Sequence, residues 1–336
     1  MQKAIVIVDP MVSAEYLANR FSQLGYATIA LKTLPDLGYI RSHDNIFDQV
    51  IDSSGHHETD IMALKRLGND YQIIHGIPGL SASLPYAETL IHKMFPQSSN
   101  LPSNTHLRAQ KYWMNEQLHR ANISAIKQIK IPKSLPINQK IKRTIAFFNE
   151  NNQNIVIKPD SGGAGTVGVI APKNIKDIQD YYHGDMQALF LETDHLLQEK
   201  IQGQELYFDV SSYQGQYHFT AAGKYAKDFD SISFEYQYLE SIDLLSPELH
   251  CAKRYVLNCL NALGMHNGLS HVEIMQTPSG EYKLIEVNPR ISGVHGYVNL
   301  MSSARYNTDQ VNAYIKLLEN RPHRTENRSI HQRLFI

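Results

Sequence analysis

The sequence predicts a mixed α/β fold in three parts: an N-terminal parallel β/α unit, followed by two units that contain antiparallel sheets. In the first third, β-type runs alternate with helical runs, as in AIVIVD, the amphipathic stretch from Ser13 to Leu24, and YATIAL. This alternation is typical of βαβ units built around a parallel sheet. From Leu196 onward, extended runs are separated by Gln202-Gly203 and Gln214-Gly215, which indicate tight turns between antiparallel strands.

A polar connection separates the first unit from the rest of the chain. Residues 97–105 read QSSNLPSNT, a composition of Ser, Asn and Pro that is typical of segments between folded units. A helix from His106 to Ala121, with Thr105 as its N-cap, is expected to follow. The three predicted units are residues 1–100, residues 101–202 and residues 203–336.

The composition excludes two classes of partner. The 336 residues include 32 Lys and Arg against 33 Asp and Glu, a balance that gives no basic surface for nucleic acid or for an anionic membrane. The apolar run before Asp9 is too short for a signal peptide core, and no later run is long enough to span a membrane. We therefore expect a cytosolic protein without nucleic-acid or membrane partners. Cys251 and Cys259 are expected to be core thiols.

A glycine-rich segment follows a strand that ends in a lysine. Within IVIKPDSGGAGTVGVI, residues 155–170, the spacing Gly163-x-Gly165-x-x-Gly168 matches a dinucleotide fingerprint, but a second β-type run follows where that fingerprint requires a helix. Backbone amides in such a loop can approach phosphate oxygens closely, and the ammonium group of Lys158 can neutralise them. The segment therefore predicts a phosphate-covering loop, with an ordinary hairpin tip and a solvated Lys158 as the alternative.

A second segment has the features of a nucleotide-binding strand edge. Gln198, Glu199, Lys200 and Ile201 lie in an extended stretch, and Glu205 follows a glycine-containing turn. An exposed strand edge offers a backbone amide and a carbonyl to adenine, and a carboxylate a few residues further on can accept hydrogen bonds from both ribose hydroxyls. Alternating charges on a solvated hairpin are the alternative interpretation.

The strongest pattern is HVEIMQTPSGEYKLIEVNPR, residues 271–290, which predicts two strands joined by a turn. A period of two places Glu286, Asn288 and Arg290 on one face of the sheet. With a turn centred on Pro278-Ser279, Glu273 shares that face and becomes a diagonal neighbour of Glu286, about 7–8 Å away between backbones.

The residue types on this face indicate metal and phosphate chemistry. Two carboxylates and the amide oxygen of Asn288 are hard oxygen ligands, which suit Mg²⁺ or Mn²⁺ better than zinc. Arg290 has a fixed charge and a planar fork suited to phosphate or to an oxyanion. The alternative is a solvated, salt-bridged strand face on which His271 is an ordinary polar residue.

Taken in order, these segments resemble the ATP-grasp superfamily, in particular the carboxylate-amine ligases that include bacterial L-amino-acid (dipeptide) ligases. The resemblance covers about residues 100–300 by motif, and the N-terminal unit fits the family's leading domain by architecture only. The four matches are the Arg108-x-x-Lys111 helix, Lys158 with its glycine loop, Gln198-Glu199 with Glu205, and Glu273 with Glu286-x-Asn288-x-Arg290.

The resemblance implies a role for each matched residue. The expected ATP contacts are the phosphate-binding Lys111 and Lys158, the loop residues Ser161, Gly162, Gly163 and Gly165, the adenine hinge Gln198, Glu199, Lys200 and Ile201, and the ribose-binding Glu205. The expected metal ligands are Glu273, Glu286 and Asn288. The expected catalytic residues are Arg290, near the transferred phosphoryl group, and, by a looser match, Lys227.

The resemblance also implies a reaction. With ATP and Mg²⁺, or Mn²⁺ as an alternative, a small-molecule carboxylate such as an amino acid is phosphorylated, and an amine then attacks the acyl phosphate to give an amide, ADP and phosphate. Two other functions stay open: a carboxylase of this superfamily that uses bicarbonate, and a nucleotide-binding subunit without turnover. Only 46 residues follow Arg290, where many relatives carry a further lobe. The expectation is therefore a short member, a truncated one, or a subunit closed by a partner, and a homodimer is one expected assembly.

Overall fold

A computed structural model of the chain describes residues 1–34, 44–160, 168–184, 193–228, 235–322 and 333–335. Three sheets organise these residues, over residues 2–78, 128–199 and 204–335. The unit boundaries predicted from the sequence fall between these sheets and remain a prediction. In the described ranges, no helix has the length and apolar character that a membrane span requires.

The N-terminal sheet is parallel, as the alternation of strands and helices predicts. Its elements in chain order are β1 (Gln2–Val8), α1 (Ala14–Gln23), β2 (Ala27–Lys32), β3 (Gln49–Asp52), α2 (His57–Arg66), β4 (Tyr71–Pro78) and α3 (Leu84–Met94). The strand order is β3-β2-β1-β4 with every pair parallel. Helices cover both faces, which is why β1 is apolar throughout its buried part. Ile7 shares a core with Leu17 of α1, and Val6 shares the opposite core with Leu90 of α3.

The second sheet has antiparallel strands. The elements of this region are α4 (His106–Ala109), α5 (Lys111–Arg120), β5 (Gln128–Ile131), α6 (Ile137–Glu150), β6 (Ile155–Pro159), α7 (Ile175–His183) and β7 (His195–Glu199). Strand β7 lies between β5 and β6. The sheet packs on α6 and α7 through a core that includes Phe147, Ile157, Ile178 and Leu197.

The single helix predicted from His106 to Ala121 is wrong. Gln110 has extended backbone angles, with φ −123° and ψ 123°, and so separates α4 from α5. Thr105 does not act as the predicted N-cap, because its hydroxyl donates to the carboxylate of Glu88 instead. The basic residues on the two sides of the break therefore belong to different helices and have different partners.

The third sheet is the largest and is antiparallel throughout. Its region contains β8 (Gln204–Tyr213), β9 (Gln216–Asp228), β10 (Glu235–Ser241), α8 (His250–Ala262), β11 (Gly268–Gln276), β12 (Tyr282–Asn288), α9 (Tyr297–Tyr306), α10 (Gln310–Leu318) and β13 (Arg333–Phe335). The strand order is β12-β11-β8-β9-β10-β13. Its apolar face packs on α8, where Phe208 and Val272 share a core with Leu260. Cys259 lies in this core as predicted, but Cys251 is exposed, so the prediction for Cys251 is wrong.

One of the two predicted tight turns is confirmed. Gln214 and Gly215 both have positive φ, 49° and 74°, and connect β8 to β9, as two-residue hairpin turns require. The hairpin predicted at Gln202-Gly203 is wrong, because the preceding strand β7 pairs with β5 and β6 and not with β8. That segment carries the chain from the second sheet to the third.

Candidate functional site

The polar face of the third sheet carries two rows of side chains that run across its strands. Because successive side chains of a strand alternate between faces, residues two apart share this face, opposite the apolar core on α8. The two rows, each ordered β8, β11, β12, are Asp209–His271–Asn288 and Tyr207–Glu273–Glu286. The acids and the amide predicted as metal ligands therefore lie together.

The register of β11 and β12 differs from the predicted one. Glu273 lies directly opposite Glu286, whereas a turn centred on Pro278-Ser279 predicts a diagonal arrangement. The turn closes between Thr277 and Glu281, so that each residue pairs one position later than predicted. Ile285 is an extra residue that bulges out of the pairing and adds a further shift of one residue. The two carboxylates are therefore closer than predicted, since directly opposed Cβ atoms are about 4.5–5.5 Å apart.

Lys111 compensates the charge of Glu286. Its ammonium nitrogen lies 2.7 Å from one carboxylate oxygen of Glu286, and both side chains are 20% exposed. The amide nitrogen of Asn288 donates to the other oxygen at 2.8 Å. Burial alone would raise the pKa of Glu286, but the charge and hydrogen bond of Lys111, together with the charge of Lys158, hold that pKa well below its usual value. Glu286 is therefore an anion at neutral pH.

Lys158 is buried at the end of β6, with 6% of its surface exposed. The alternative interpretation, a solvated hairpin lysine, is therefore wrong. The charge of Lys158 also lowers the pKa of Glu286, the carboxylate that Lys111 contacts. Both lysines predicted to bind phosphate therefore act electrostatically on the same acid.

Asp160, which the sequence analysis missed, joins the two segments that carry these lysines. Its carboxylate accepts a hydrogen bond from the amide of Tyr112 at 2.8 Å, and its carbonyl accepts one from the amide of Lys111 at 3.2 Å. Lys130 of β5 also pairs with this carboxylate, at 2.8 Å. Asp160 therefore caps α5 from the end of β6 and fixes the start of that helix relative to Lys158. No local sequence pattern marks this cap, because the two partners are 48 residues apart.

The segment predicted as an adenine hinge lies between the second and third sheets. The carboxylate of Glu199 accepts from the amide of Lys127 at 2.9 Å and from the ammonium group of Lys283 in β12 at 2.8 Å, so it ties the two sheets together. The amides of Glu199 and Lys200 donate to carbonyl groups of the second region. An adenine contact by this segment would therefore fall to Ile201 and to the hinge carbonyl groups.

Gln198, the first residue of this hinge, and Glu205, which follows it, are both buried. The side-chain amide of Gln198 donates to Gln128 of β5 at 3.0 Å. Glu205, near the start of β8, lies on the face of the two polar rows. Burial and the charges of Glu273 and Glu205 raise the pKa of Tyr236 well above its usual value, which places Glu205 near the acids.

A cavity of about 460 Å³ opens at this face. Glu273, Glu286 and Arg290 contribute charged groups to its lining. The segment Met11–Ser13 of the N-terminal region and the ring of Tyr225 contribute apolar and aromatic groups. The volume and the mixed lining are typical of a small-molecule binding site.

Arg290 lies two residues beyond the end of β12, where its amide donates to the carbonyl of Asn288, and it lines the same cavity as Glu286 and Asn288. One guanidinium nitrogen donates to the carbonyl of Ile291 at 2.7 Å, and another donates to the side-chain oxygen of Asn288 at 3.3 Å. These contacts hold the guanidinium group at the cavity, beside the acids.

His271 is not an ordinary polar residue of a solvated face, because it is 5% exposed. Its Nδ1 lies 2.6 Å from Asp209 and its Nε2 lies 3.3 Å from Glu273. Burial alone would lower the pKa of His271, but the two carboxylates raise it to about 9. Both ring nitrogens therefore carry a proton at neutral pH.

The opposed acids fit Mg²⁺ by their chemistry, since carboxylate and amide oxygens are its preferred protein ligands. In the part of the chain that the structure describes, no group of three His, Cys, Asp or Glu side chains is placed to hold an ion alone. A Mg²⁺ ion between Glu273 and Glu286 would complete its coordination with Asn288 and with phosphate oxygens. The site therefore fits a metal bound together with a nucleotide better than a free-standing metal centre.

Some predicted site residues fall outside the description. The loop residues Ser161, Gly162, Gly163 and Gly165 lie outside the described ranges. Lys227 lies in β9 opposite Tyr236, and its side chain is not among those described. The roles assigned to these residues remain predictions, as do the ligand roles of the residues that the structure brings together.

Part of the chain is similar in sequence to a known protein family. Residues 151–297 match the sequence model of a family described as ATP-grasp domain. No match was found among curated proteins. The matched range begins just before β6 and extends past β12, which carries Glu286 and Asn288, and past Arg290.

Several solved structures match nearly the whole chain. An L-amino acid ligase from Bacillus licheniformis matches with a TM-score of 0.68 and 14% identity, covering 95% of this chain and 75% of its own. An N5-carboxyaminoimidazole ribonucleotide synthetase from Thermotoga maritima matches with a TM-score of 0.69 and 16% identity, covering 99% and 80%. The biotin carboxylase domain dimer of Hydrogenobacter thermophilus 2-oxoglutarate carboxylase, solved with MgADP, ADP and bicarbonate, matches with a TM-score of 0.67 and 17% identity, covering 96% and 71%.

These comparisons confirm the resemblance inferred from the sequence. Sequence identities of 14–17% show that the fold is shared with those enzymes, but they do not show that the substrates are shared. The family match includes β6 with Lys158, the hinge after β7, and the paired strands β11 and β12. The chain therefore has the fold of these solved structures, and residues 151–297 match the model of an ATP-grasp domain.

Proposed function

We propose that this chain is an ATP-dependent ligase that joins a carboxylate to an amine through an acyl phosphate, with release of ADP and phosphate. The observation that carries the proposal is the convergence of Lys111, Lys158 and Arg290 on the opposed acids of β11 and β12, beside a cavity of about 460 Å³. Three cations around two acids fit a site for metal-bound phosphates, and the ATP-grasp fold supports this interpretation.

In the first step of the proposed reaction, an oxygen of the substrate carboxylate attacks the γ-phosphorus of ATP, and the bond to ADP breaks. Lys111 and Lys158 bind phosphate oxygens, and Arg290 binds the transferred phosphoryl group as charge moves onto it. The opposed acids and Asn288 would hold Mg²⁺, which supplies further positive charge to the phosphates. Lys111 exchanges its contact with Glu286 for a phosphate oxygen, a movement that its long side chain permits.

In the second step, the amine nitrogen attacks the carbonyl carbon of the acyl phosphate, phosphate leaves, and the amine loses a proton to solvent. Arg290 stabilises the negative charge on the carbonyl oxygen. Met11–Ser13 and Tyr225, which line the cavity, contact the two substrates. The glycine-rich segment, which lies outside the described residues, is proposed to cover the phosphates and to protect the acyl phosphate from water.

An ATP-grasp carboxylase is the second candidate function. Two of the similar structures are a carboxyaminoimidazole ribonucleotide synthetase and a biotin carboxylase domain solved with MgADP and bicarbonate. The latter supports ATP and Mg²⁺ as the cofactors here, whereas Mn²⁺ finds no support in these comparisons. Because the biotin carboxylase domain is a dimer, we propose a homodimer for this chain as well. We also propose the cytosolic location that is expected from the sequence.

A phosphate-release assay separates the candidates. We expect MgATP to be consumed only when a suitable carboxylate and a suitable amine are both present. Turnover that depends on bicarbonate would instead favour the carboxylase, and no turnover with any pool of substrates would favour a nucleotide-binding subunit. Mass spectrometry of the product identifies both halves of the amide, because its mass is the sum of the two substrates less one water.

Replacing Lys158 with Ala is expected to raise the apparent KM for ATP about 30-fold, with little change in fold. A buried lysine that pairs with phosphate is worth about 2 kcal/mol, whereas an exposed lysine contributes well under 1 kcal/mol. Initial rates over a range of ATP concentrations measure the effect. Lys142→Ala is the matched control, because Lys142 is exposed on α6 of the same region. Equal ATP kinetics for the two variants would contradict the phosphate role of Lys158.

A further inference from the structure

His271 links two carboxylates on the polar face of the third sheet. Its Nδ1 donates to Asp209 at 2.6 Å, and its Nε2 lies 3.3 Å from Glu273 and 3.0 Å from the hydroxyl of Tyr225. Asp209 is fully buried, while Glu273 lines the cavity. The series Asp209–His271–Glu273 therefore leads from the interior of the sheet to the candidate metal site.

The two opposed acids are held in different ways. Glu286 contacts Lys111 and Asn288. Within the residues that the structure describes, the ion-pair partner of Glu273 is His271 alone. The orientation of the Glu273 carboxylate therefore depends on an imidazole ring whose own orientation is fixed by its bond to a buried carboxylate.

Stability alone does not account for this arrangement. A buried ion pair is often no more stabilising than well-packed apolar residues of similar size. Moreover, Oδ2 of Asp209 is buried and has no hydrogen-bond partner among the described residues. Groups that are hydrogen-bonded to a metal-ligating carboxylate or histidine are known to orient that ligand and to tune metal affinity, and the geometry of His271 and Asp209 behind Glu273 fits this role.

We propose that Asp209 and His271 form a positioning pair that orients Glu273 for Mg²⁺ and sets the Mg²⁺ affinity of the nucleotide site. This inference rests on the proposed ATP-dependent function. Neither residue touches the metal: Asp209 fixes the ring through Nδ1, at 2.6 Å, and the fixed ring holds Nε2 3.3 Å from the Glu273 carboxylate. The hydroxyl of Tyr225 also lies near Nε2, at 3.0 Å, and Tyr225 lines the cavity.

The test is calorimetric titration with ADP at a series of Mg²⁺ concentrations. For Asp209→Asn and for His271→Gln, we expect the Mg²⁺ concentration that supports half-maximal ADP binding to rise about 10–100-fold. Ser212→Ala is the matched control: Ser212 is also buried on β8, and its hydroxyl donates to the carbonyl of Gly268 at 3.2 Å. The control should keep the parental Mg²⁺ requirement even where it melts at a lower temperature.

A double variant makes the test independent of a general loss of stability. Because Asp209 acts through His271, combining Asp209→Asn with His271→Gln should raise the Mg²⁺ requirement no further than His271→Gln alone. The inference would be overturned if the two substitutions raised the Mg²⁺ requirement additively, or if both single variants kept the parental Mg²⁺ requirement. It would also be overturned if ADP binding by the parent protein did not depend on Mg²⁺. ADP binding does not depend on the carboxylate or the amine, so an error in the proposed ligation would appear in the phosphate-release assay and not here.

Discussion

Replacing Glu286 with Gln is expected to lower ATP turnover by on the order of 10²-fold or more while the protein still folds. The substitution keeps the shape of the side chain but removes a negative charge from the point where Lys111 and Lys158 converge. A Mg²⁺ ion held there would lose a charged ligand at the place where charge moves during phosphoryl transfer. ADP release at saturating Mg²⁺ measures the effect.

The same variant should be less stable than the parent. Relief of the repulsion between Glu273 and Glu286 would by itself increase the stability of the folded protein. However, Glu286 pairs with Lys111 at 2.7 Å, and in the variant the ammonium group of Lys111 would lose this partner. We expect a loss of about 1–3 kcal/mol in the free energy of unfolding. Glu281→Gln is the matched control, since Glu281 is exposed in the turn between the same strands, and it should change stability by about 0.5 kcal/mol at most.

The pH dependence of stability gives a second measure of Glu286. Its folded-state pKa is lowered from 4.5, so its ionisation stabilises the folded protein above the unfolded-state pKa. That contribution is lost as the pH falls below about 4.5 toward the lowered folded-state pKa. The stability difference between parent and variant should therefore shrink in acid. A difference that grows in acid, or parental turnover by the variant, would contradict the assignment.

Much of the fold could be predicted because it depends on local periodicity. A period of two places Glu286 and Asn288 on one face of a strand, and the structure confirms that face. Arg290 lies beyond the end of the strand but lines the same cavity. The register between β11 and β12 was harder to predict, because it depends on the turn that joins them and on the bulge at Ile285. A single bulged residue leaves no signal in an alternating pattern, so the opposition of Glu273 to Glu286 was missed.

Features that join distant segments could not be predicted. Asp160 caps a helix that begins 49 residues earlier in the chain, at Lys111, and Asp209 holds a histidine 62 residues later. Each contact depends on which strands become neighbours in a sheet, and the order of strands cannot be predicted from a local sequence pattern. The hairpin predicted at Gln202-Gly203 failed for the same reason, since the turn residues were suitable but the strand before them pairs elsewhere.

Arg108, which precedes the break between α4 and α5, has a structural partner in the N-terminal region. Arg108 makes a two-point ion pair with Glu88 of α3, at 2.8 and 2.6 Å. It also donates to the carbonyl groups of Leu263 at 2.8 Å and Leu101 at 3.0 Å. One guanidinium group therefore joins the N-terminal region, the connection that follows it, and the end of α8. Both charged side chains are almost completely buried, with 0% and 3% exposed.

Arg108→Met is accordingly expected to lower the free energy of unfolding by about 3–5 kcal/mol, because the Glu88 carboxylate would stay buried without its countercharge. That is a large fraction of the total stability of a typical domain, and chemical denaturation of the ligand-free protein measures it. Lys93→Met is the matched control: Lys93 pairs with Glu58 at 2.6 Å, but both side chains are exposed, so the change should be much smaller. Combining Arg108→Met with Glu88→Leu should restore part of the loss, since no buried charge then remains unpaired. Equal losses in Arg108→Met and the control would show that this buried ion pair does not hold the three segments together.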